Sequence, residues 1–393
     1  MATYFANVTL FDGVGLRTKQ GVLVEGERVA WVGAHARAPK AARSAEERGG
    51  SGRTVTPGLI DCHVHLMFDG SADFAKEAAE LTPALAAVKA VVNAARHLEA
   101  GVTSVRDLGG EGIPDVARAI AGGLVPGPRV VAAGHGLTIT GGHGHNVAFG
   151  RQVDGADGLR KAVREEIRSG ATAIKLVATG GVLTPGIGAT FSAFTPEELE
   201  AAVQEAHKRG FPVAAHAIGA EGILAAVRAG VDSIEHANQT TPRIAREMKE
   251  RGTFRSPTIC AVRGIAEHPD DVPAYAVEKA TALLAESKAS HARAVRAGVR
   301  HVCGTDAGTP FNPHGNAPLE LTYMVEWGST PLDAMRAATA NGAELLRLLD
   351  VGTIEQGKRA DLAAYEANPC EDIAAVLKPV LVMKDGAVVA GGG

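Results

Sequence analysis

The chain has 393 residues, 46% hydrophobic and 21% charged, which excludes a disordered polymer and allows a large buried core with a smaller appended domain. A net charge of -4 and a pI near 6.4 leave no basic footprint, and no apolar run approaches the roughly 18 residues of a membrane span, so neither nucleic acid nor membrane is an expected partner. Four separated cysteines, Cys62, Cys260, Cys303 and Cys370, without a CxxC pair, and an N-terminus without a basic-then-apolar leader, predict reduced thiols in a cytoplasmic protein.

Residues 1–55 alternate short β-rich pieces with turns: Tyr4 to Leu10, a turn at Asp12 and Gly13, Gly21 to Val24, and Val29 to Val32. Ala34 to Gly52 is rich in Ala, Arg and Glu and reads as a flexible surface excursion. Val55, Leu59 and Ile60 then read as a buried strand ending at Asp61.

From there apolar strands alternate with amphipathic helices, the pattern of a parallel sheet with crossover helices. After the first strand come Val102 to Leu108, Arg129 to Gly134, Ala173 to Ala178, Pro212 to Ala217, Ser233 to Ala237, Phe254 to Ile259 and His301 to Asp306. Pro83 to Ala100, Leu159 to Ser169, Pro196 to Lys208, Glu221 to Ala229 and Val277 to Ala297 read as helices between them. Thr82 and Thr195 are N-caps ahead of a proline at the first helical position, and Gly101, Gly170, Gly210, Gly230 and Gly298 close helices. Eight such units predict a (β/α)8 TIM barrel over 56–350. Residues 351–393 return to short strands, with a hairpin at Lys384-Asp385-Gly386, and are expected to join 1–55 in one small β-sandwich domain formed by both chain termini.

Chemistry in such a barrel belongs at the C-terminal ends of the strands. Those ends carry His63 and His65 in PGLIDCHVH, Lys175 in AIKLVA, His216 in VAAHA, His236 in SIEHA and Asp306 in CGTDAG. On a strand, positions i and i+2 share a face, so His63 and His65 point together as half of a metal shell. An isolated histidine at a strand end is ordinarily a hydrogen-bonded core residue, but such residues at successive strand ends argue against coincidence. An ammonium at Lys175 would be stranded in low dielectric beside cations, whereas its neutral amine can add carbon dioxide to become a carbamate that bridges two metals.

PGLIDCHVH with Lys175, His216, His236 and Asp306 resembles the amidohydrolase superfamily, and the likeness spans essentially the whole chain. The resemblance implies that His63, His65 and Asp306 bind a more buried metal, His216 and His236 a more exposed one, and carboxylated Lys175 bridges them. Two divalent ions per chain, zinc in the first instance, are therefore expected. GVTSVRDLGG, TGGHGH, ATGGVLTP, SIEHA and GTDAGTPFNPHG resemble the imidazolonepropionase-like branch, and within it the metal-dependent Xaa-Pro and Xaa-Arg/Lys dipeptidases and N-acyl-amino-acid hydrolases.

The expected reaction is hydrolysis of an amide or peptide bond, with metals sharing a water whose pKa falls toward ~7. Asp306 serves as general base and then general acid, and His143 in TGGHGH as a donor to the substrate carbonyl, with His145 the alternative. The substrate is expected to be a small amide or dipeptide with a free carboxylate facing His143, Arg106, Arg263 and His314, and with Phe191, Phe194 and Phe311 as an apolar wall. Arg106 and Asp107 read as an internal ion pair in preference to a clamp, and Cys62 as a core residue. A cyclic-amide hydrolase of imidazolonepropionase type and a non-catalytic metal-binding scaffold are the alternatives. A homo-oligomer is also expected.

Overall fold

The strand Thr3–Phe11 sits inside a sheet built from both ends of the chain. In the computed structural model, which describes residues 2–50 and 52–391, the order across this sheet is Ala387–Gly391, Leu381–Lys384, Leu362–Tyr365, Thr54–Pro57, Thr3–Phe11, Leu16–Glu25 and Arg28–Ala34. Asn7, in the left-handed region at φ +51°, makes a bulge between Phe5 and Val8 that shifts the side-chain alternation. Phe5, Val8 and Leu10 thereby share one core with Val22, Val24, Val55, Leu362 and Met383. The expected hairpin turns at Asp385 (φ +48°) and Gly386 (φ +74°).

Two details of this sheet depart from the sequence reading. The excursion from Ala34 to Gly52 contains a strand, Glu46–Gly49, parallel to Thr3 through Ala6; a charged strand without apolar alternation gives no pattern to read. Val55 lies in Thr54–Pro57, which pairs with Leu362–Tyr365, so the first barrel strand is the separate segment Leu59–Val64 and it continues past Asp61.

The barrel strands follow in parallel order: Leu59–Val64, Val102–Asp107 and Arg129–Ala132 pair in one run, and Ile174–Val177, Val213–Ala217, Ser233–His236 and Phe254–Ser256 in another. Thr172 N donates to Ala132 O at 2.7 Å across one seam. The segment 301–307 closes the other with isolated bridges, Arg255 to His301 and Val64 to Ala307, and with the bonds Cys62 N to Cys303 O (2.8 Å) and Asp306 N to His63 O (2.7 Å). The third strand is broken after Ala132, and Gly136–Thr138 moves beside Ile174–Val177, which leads the following glycine-rich turn toward the barrel mouth.

The helix ends obey local chemistry. Thr82 accepts from Leu85 N, and Thr195 forms a reciprocal capping box with Glu198. The five glycines expected after helices have φ between +76° and +104°. Cys62 is fully buried against Ile60 and Ala343, a core residue as expected.

Candidate metal centre and substrate cleft

Side chains alternate along a strand, so Asp61 and His63 share a face, as do Ser233 and Glu235, while Ile60, Cys62 and Ile234 pack in apolar clusters. The resulting barrel interior is polar near its C-terminal end. His63 Nε2 and His65 Nε2 lie 3.2 and 3.3 Å from the same oxygen of Asp306, Oδ1. One ligand atom from each of His63, His236 and Asp306 falls within 4.8 Å of the other two, a candidate metal site. The His216 ring is 4.5 Å from that of His236, and Lys175 lines the same cavity.

The rings are aimed by partners on their other nitrogens. His63 Nδ1 is 2.9 Å from Glu235 Oε2, His65 Nδ1 is 3.3 Å from Gly109 O, His236 Nδ1 is 2.7 Å from Thr258 Oγ1, and His216 Nε2 is 2.7 Å from Gly180 O. This leaves one nitrogen of each imidazole for the centre, the arrangement that metal-ligating histidines need. Backbone strain gathers at the same place: His236, Ala237, Thr258 and Asp306 have φ of +68°, +50°, +49° and +60°. Non-glycine residues there cost about 1 kcal/mol or more each, which the surrounding hydrogen bonds must offset.

Electrostatics suits a metal. Burial pushes His236 down to about 3 and His216 well below the ordinary imidazole value, so both rings are neutral at pH 7. Burial also opposes ionisation of Asp306, but His63 and His65 outweigh it and hold the carboxyl well below its usual range. Lys175 is 1% exposed and its ammonium meets no hydrogen-bond or ion-pair partner among the described residues. Burial pushes its amine down to about 8. At His63, by contrast, burial favours the neutral ring but Asp306 and Glu235 outweigh it and raise the imidazole above its ordinary value, so a cation bound there would take the place of that proton. Imidazole and carboxylate donors around an unpartnered amine fit one or more divalent cations.

The cleft above the centre is walled by Phe68, Phe74, Phe149, Val182, Leu183 and Ile265. His143 lines it, its ring 4.8 Å from that of His216; His145 does not, and its Nδ1 lies 2.8 Å from Gly142 O. Burial pushes His143 down to about 4, so the ring is neutral. It lies so close over Gly181 that a Cβ there would stand 2.3 Å from Nε2.

Of the four groups expected to face a substrate carboxylate, His143 lines the cleft, whereas Arg106, Arg263 and His314 do not. Arg106 is fully buried and spends its guanidinium on Glu235 Oε1 (2.8 Å), Cys62 O (2.7 Å) and Ser233 Oγ (3.1 Å); Asp107 is not its partner but accepts from Leu66 N and Gly109 N. Arg263 turns outward to Glu267 and Glu326, and His314 is buried against His97 and Phe68 O. The expected aromatic wall is also misplaced: Phe191 is exposed, Phe194 enters the core under the helices, and Phe311 stacks on His268. Glu235 was the residue missed. Its signal was position alone, an acid on the inward face of a strand that ends in a candidate ligand, His236.

Fold and site together define a barrel hydrolase with a candidate metal centre at the C-terminal ends of its strands. The amidohydrolase family model matches residues 54–389, and this chain belongs to that family, whose chemistry is hydrolysis of carbon–nitrogen bonds. Ochratoxinase of Aspergillus niger is 33% identical over 401 residues, covering 94% of this chain and 82% of that one. A Xaa-Pro dipeptidase crystallised with methionine bound in its active site matches with a TM-score of 0.90 at 32% identity, covering 99% of each chain. A prolidase complexed with N-methylphosphonate-L-proline matches with a TM-score of 0.89 at 31% identity, again over 99% of each chain.

Proposed function

We propose that this protein hydrolyses the amide bond of a small apolar dipeptide or N-acyl amino acid, using two divalent cations, zinc in the first instance. The observation that carries the reading is the convergence of His63, His65 and His236 on Asp306 beneath a cleft with aliphatic and aromatic walls. The cleft's lining favours apolar side chains. The likeness to a dipeptidase that holds methionine and a prolidase that holds a proline phosphonate supports an amino-acid-sized substrate.

His63, His65 and Asp306 would hold one ion and His216 and His236 the other, with Lys175 joining the two sets as a carbamate, formed when its neutral amine adds carbon dioxide and loses a proton. When bound, the ions supply Lewis acidity and a water of lowered pKa. Asp306 accepts a proton from the attacking water and delivers it to the leaving nitrogen, whose expulsion as an anion is prohibitive. His143, neutral and in the cleft wall, donates a hydrogen bond to the oxygen of the scissile carbonyl as negative charge develops on it.

The test is metal analysis followed by turnover on a library of dipeptides and N-acyl amino acids. Two equivalents of zinc or another divalent ion, and a preference for apolar members, are the expected results. A metal-loaded protein that cleaves no member of the library contradicts the reading.

A further inference from the structure

The segment between Thr179 and Ser192 is pinched at its neck by a bridge between those two residues and by Gly180 N donating to Phe191 O at 2.8 Å. Its inner face, Val182, Leu183 and Thr184, forms part of the cleft. Its outer side is gripped by the helix Ala274–Ala297. Lys279 Nζ donates to three main-chain oxygens, those of Gly181 (3.2 Å), Thr184 (2.7 Å) and Ile187 (2.7 Å). An ammonium has three donors, so this cage uses all of them, and no carboxylate pairs with Lys279 among the described residues. One turn earlier on the same helix face, Tyr275 OH donates to Leu183 O at 3.1 Å; one turn later, Leu283 lines the cleft.

Thr184 carries this grip to the chemistry. Its Oγ1 accepts from Gly144 N at 3.0 Å and lies 2.7 Å from His143 Nδ1. Among the described residues His143 Nδ1 is the one acceptor within hydrogen-bond distance of this hydroxyl, and a hydroxyl that donates to it places the single proton of the neutral imidazole on Nε2.

We propose that Lys279 is a positioning residue: by strapping residues 181–187 it holds Thr184 against His143 and fixes that ring as an Nε2–H donor toward the substrate. The role rests on the reading of His143 as the donor to the scissile carbonyl. It assigns specificity of orientation to a cation that touches neither metal ligand nor substrate. The charge is needed because three carbonyl dipoles point at one spot and repel one another unless a cation sits between them.

The experiment compares wild type with Lys279→Met, which keeps the aliphatic stem, and Thr184→Val, which keeps the volume and removes the hydroxyl. Selective nitrogen-15 labelling of histidine reads the tautomer, and hydrogen exchange reads the amides of 181–187; neither requires a substrate. The expected result is an Nε2–H signal for His143 in wild type and a tautomer mixture in both variants, with amide exchange in the strap at least tenfold faster only in Lys279→Met. On a substrate that wild type hydrolyses, kcat should fall roughly tenfold or more with KM little changed, since the lost bond is strongest in the transition state. An unchanged tautomer and unchanged strap exchange in Lys279→Met would overturn the proposal, and an unchanged tautomer in Thr184→Val would overturn the link through the hydroxyl. If His143→Gln retains normal turnover, the donor role assigned to His143 fails, whereas the tautomer and exchange results still decide whether Lys279 sets the ring.

Discussion

Glu235 bridges His63 and Arg106 inside the barrel, with Oε2 2.9 Å from His63 Nδ1 and Oε1 2.8 Å from an Arg106 nitrogen. All three side chains are essentially excluded from solvent. Burial opposes ionisation of Glu235, yet Arg106 and His63 outweigh it and hold the carboxyl far below its ordinary range. Glu235→Gln leaves the guanidinium without its counter-charge and weakens the hold on His63. The expected cost is about 3 kcal/mol of stability and a loss of metal affinity of about 10–100-fold. Denaturant unfolding and metal titration measure the two separately.

Lys175→Ala removes the cleft amine that joins the two sets of candidate ligands in the proposed reading. Bound metal should fall from about two equivalents to one or none, with activity falling in parallel. A short carboxylate such as acetate or propionate, fitting the space left by the side chain, should restore part of both. Full metal content and full turnover in the variant would remove the bridging role.

For Asp306→Asn the fold should persist, because the amide can still meet the surrounding donors. It cannot accept the proton of the attacking water, so kcat should drop by roughly 10²–10⁴-fold. Steady-state kinetics over a pH series is the check, and a profile of normal height and shape would exclude Asp306 as the proton carrier.

The grouping of these residues in one cavity was legible in the chain because each barrel strand ends in a βα turn, and the candidate ligands are the polar residues at those ends. His63, Lys175, His216, His236 and Asp306 stand at strand ends in the sequence and line one cavity in the fold. The supports behind them were not legible. Arg106 stands at a strand end like a ligand, but its length lets it reach back across the barrel to Glu235, 129 positions away in the chain. Phe191, Phe194 and Phe311 lie in loops near the mouth by sequence, yet loop paths are set by bonds such as that of Tyr275 to Leu183 O, and the cleft takes Phe68, Phe74 and Phe149 instead.

Glu320 predicts a pH dependence of stability unconnected with turnover. Its carboxylate accepts from Ile259 N and Cys260 N, both at 2.8 Å, at the start of the helix Ile259–Ala266. Burial nevertheless raises it from 4.5 to about 7. The folded state binds this proton more tightly than the unfolded chain, so the contribution is fully present below about pH 4.5 and is lost as pH rises through about 7, on the order of 3 kcal/mol in all. Glu320→Gln cannot accept both N–H groups and should be less stable than wild type at pH 5, with the gap narrowing by pH 8. A gap that widens with pH would reverse the sign and contradict the assignment.

The central claim is tested most directly by the hydrolysis of an apolar N-acyl amino acid by wild-type protein that is assayed as purified, after removal of metal with a chelator, and after zinc is returned. Amide cleavage that disappears on stripping and recovers with about two equivalents of metal is the predicted result. Full cleavage by the stripped protein, or none by the fully loaded one, would contradict it.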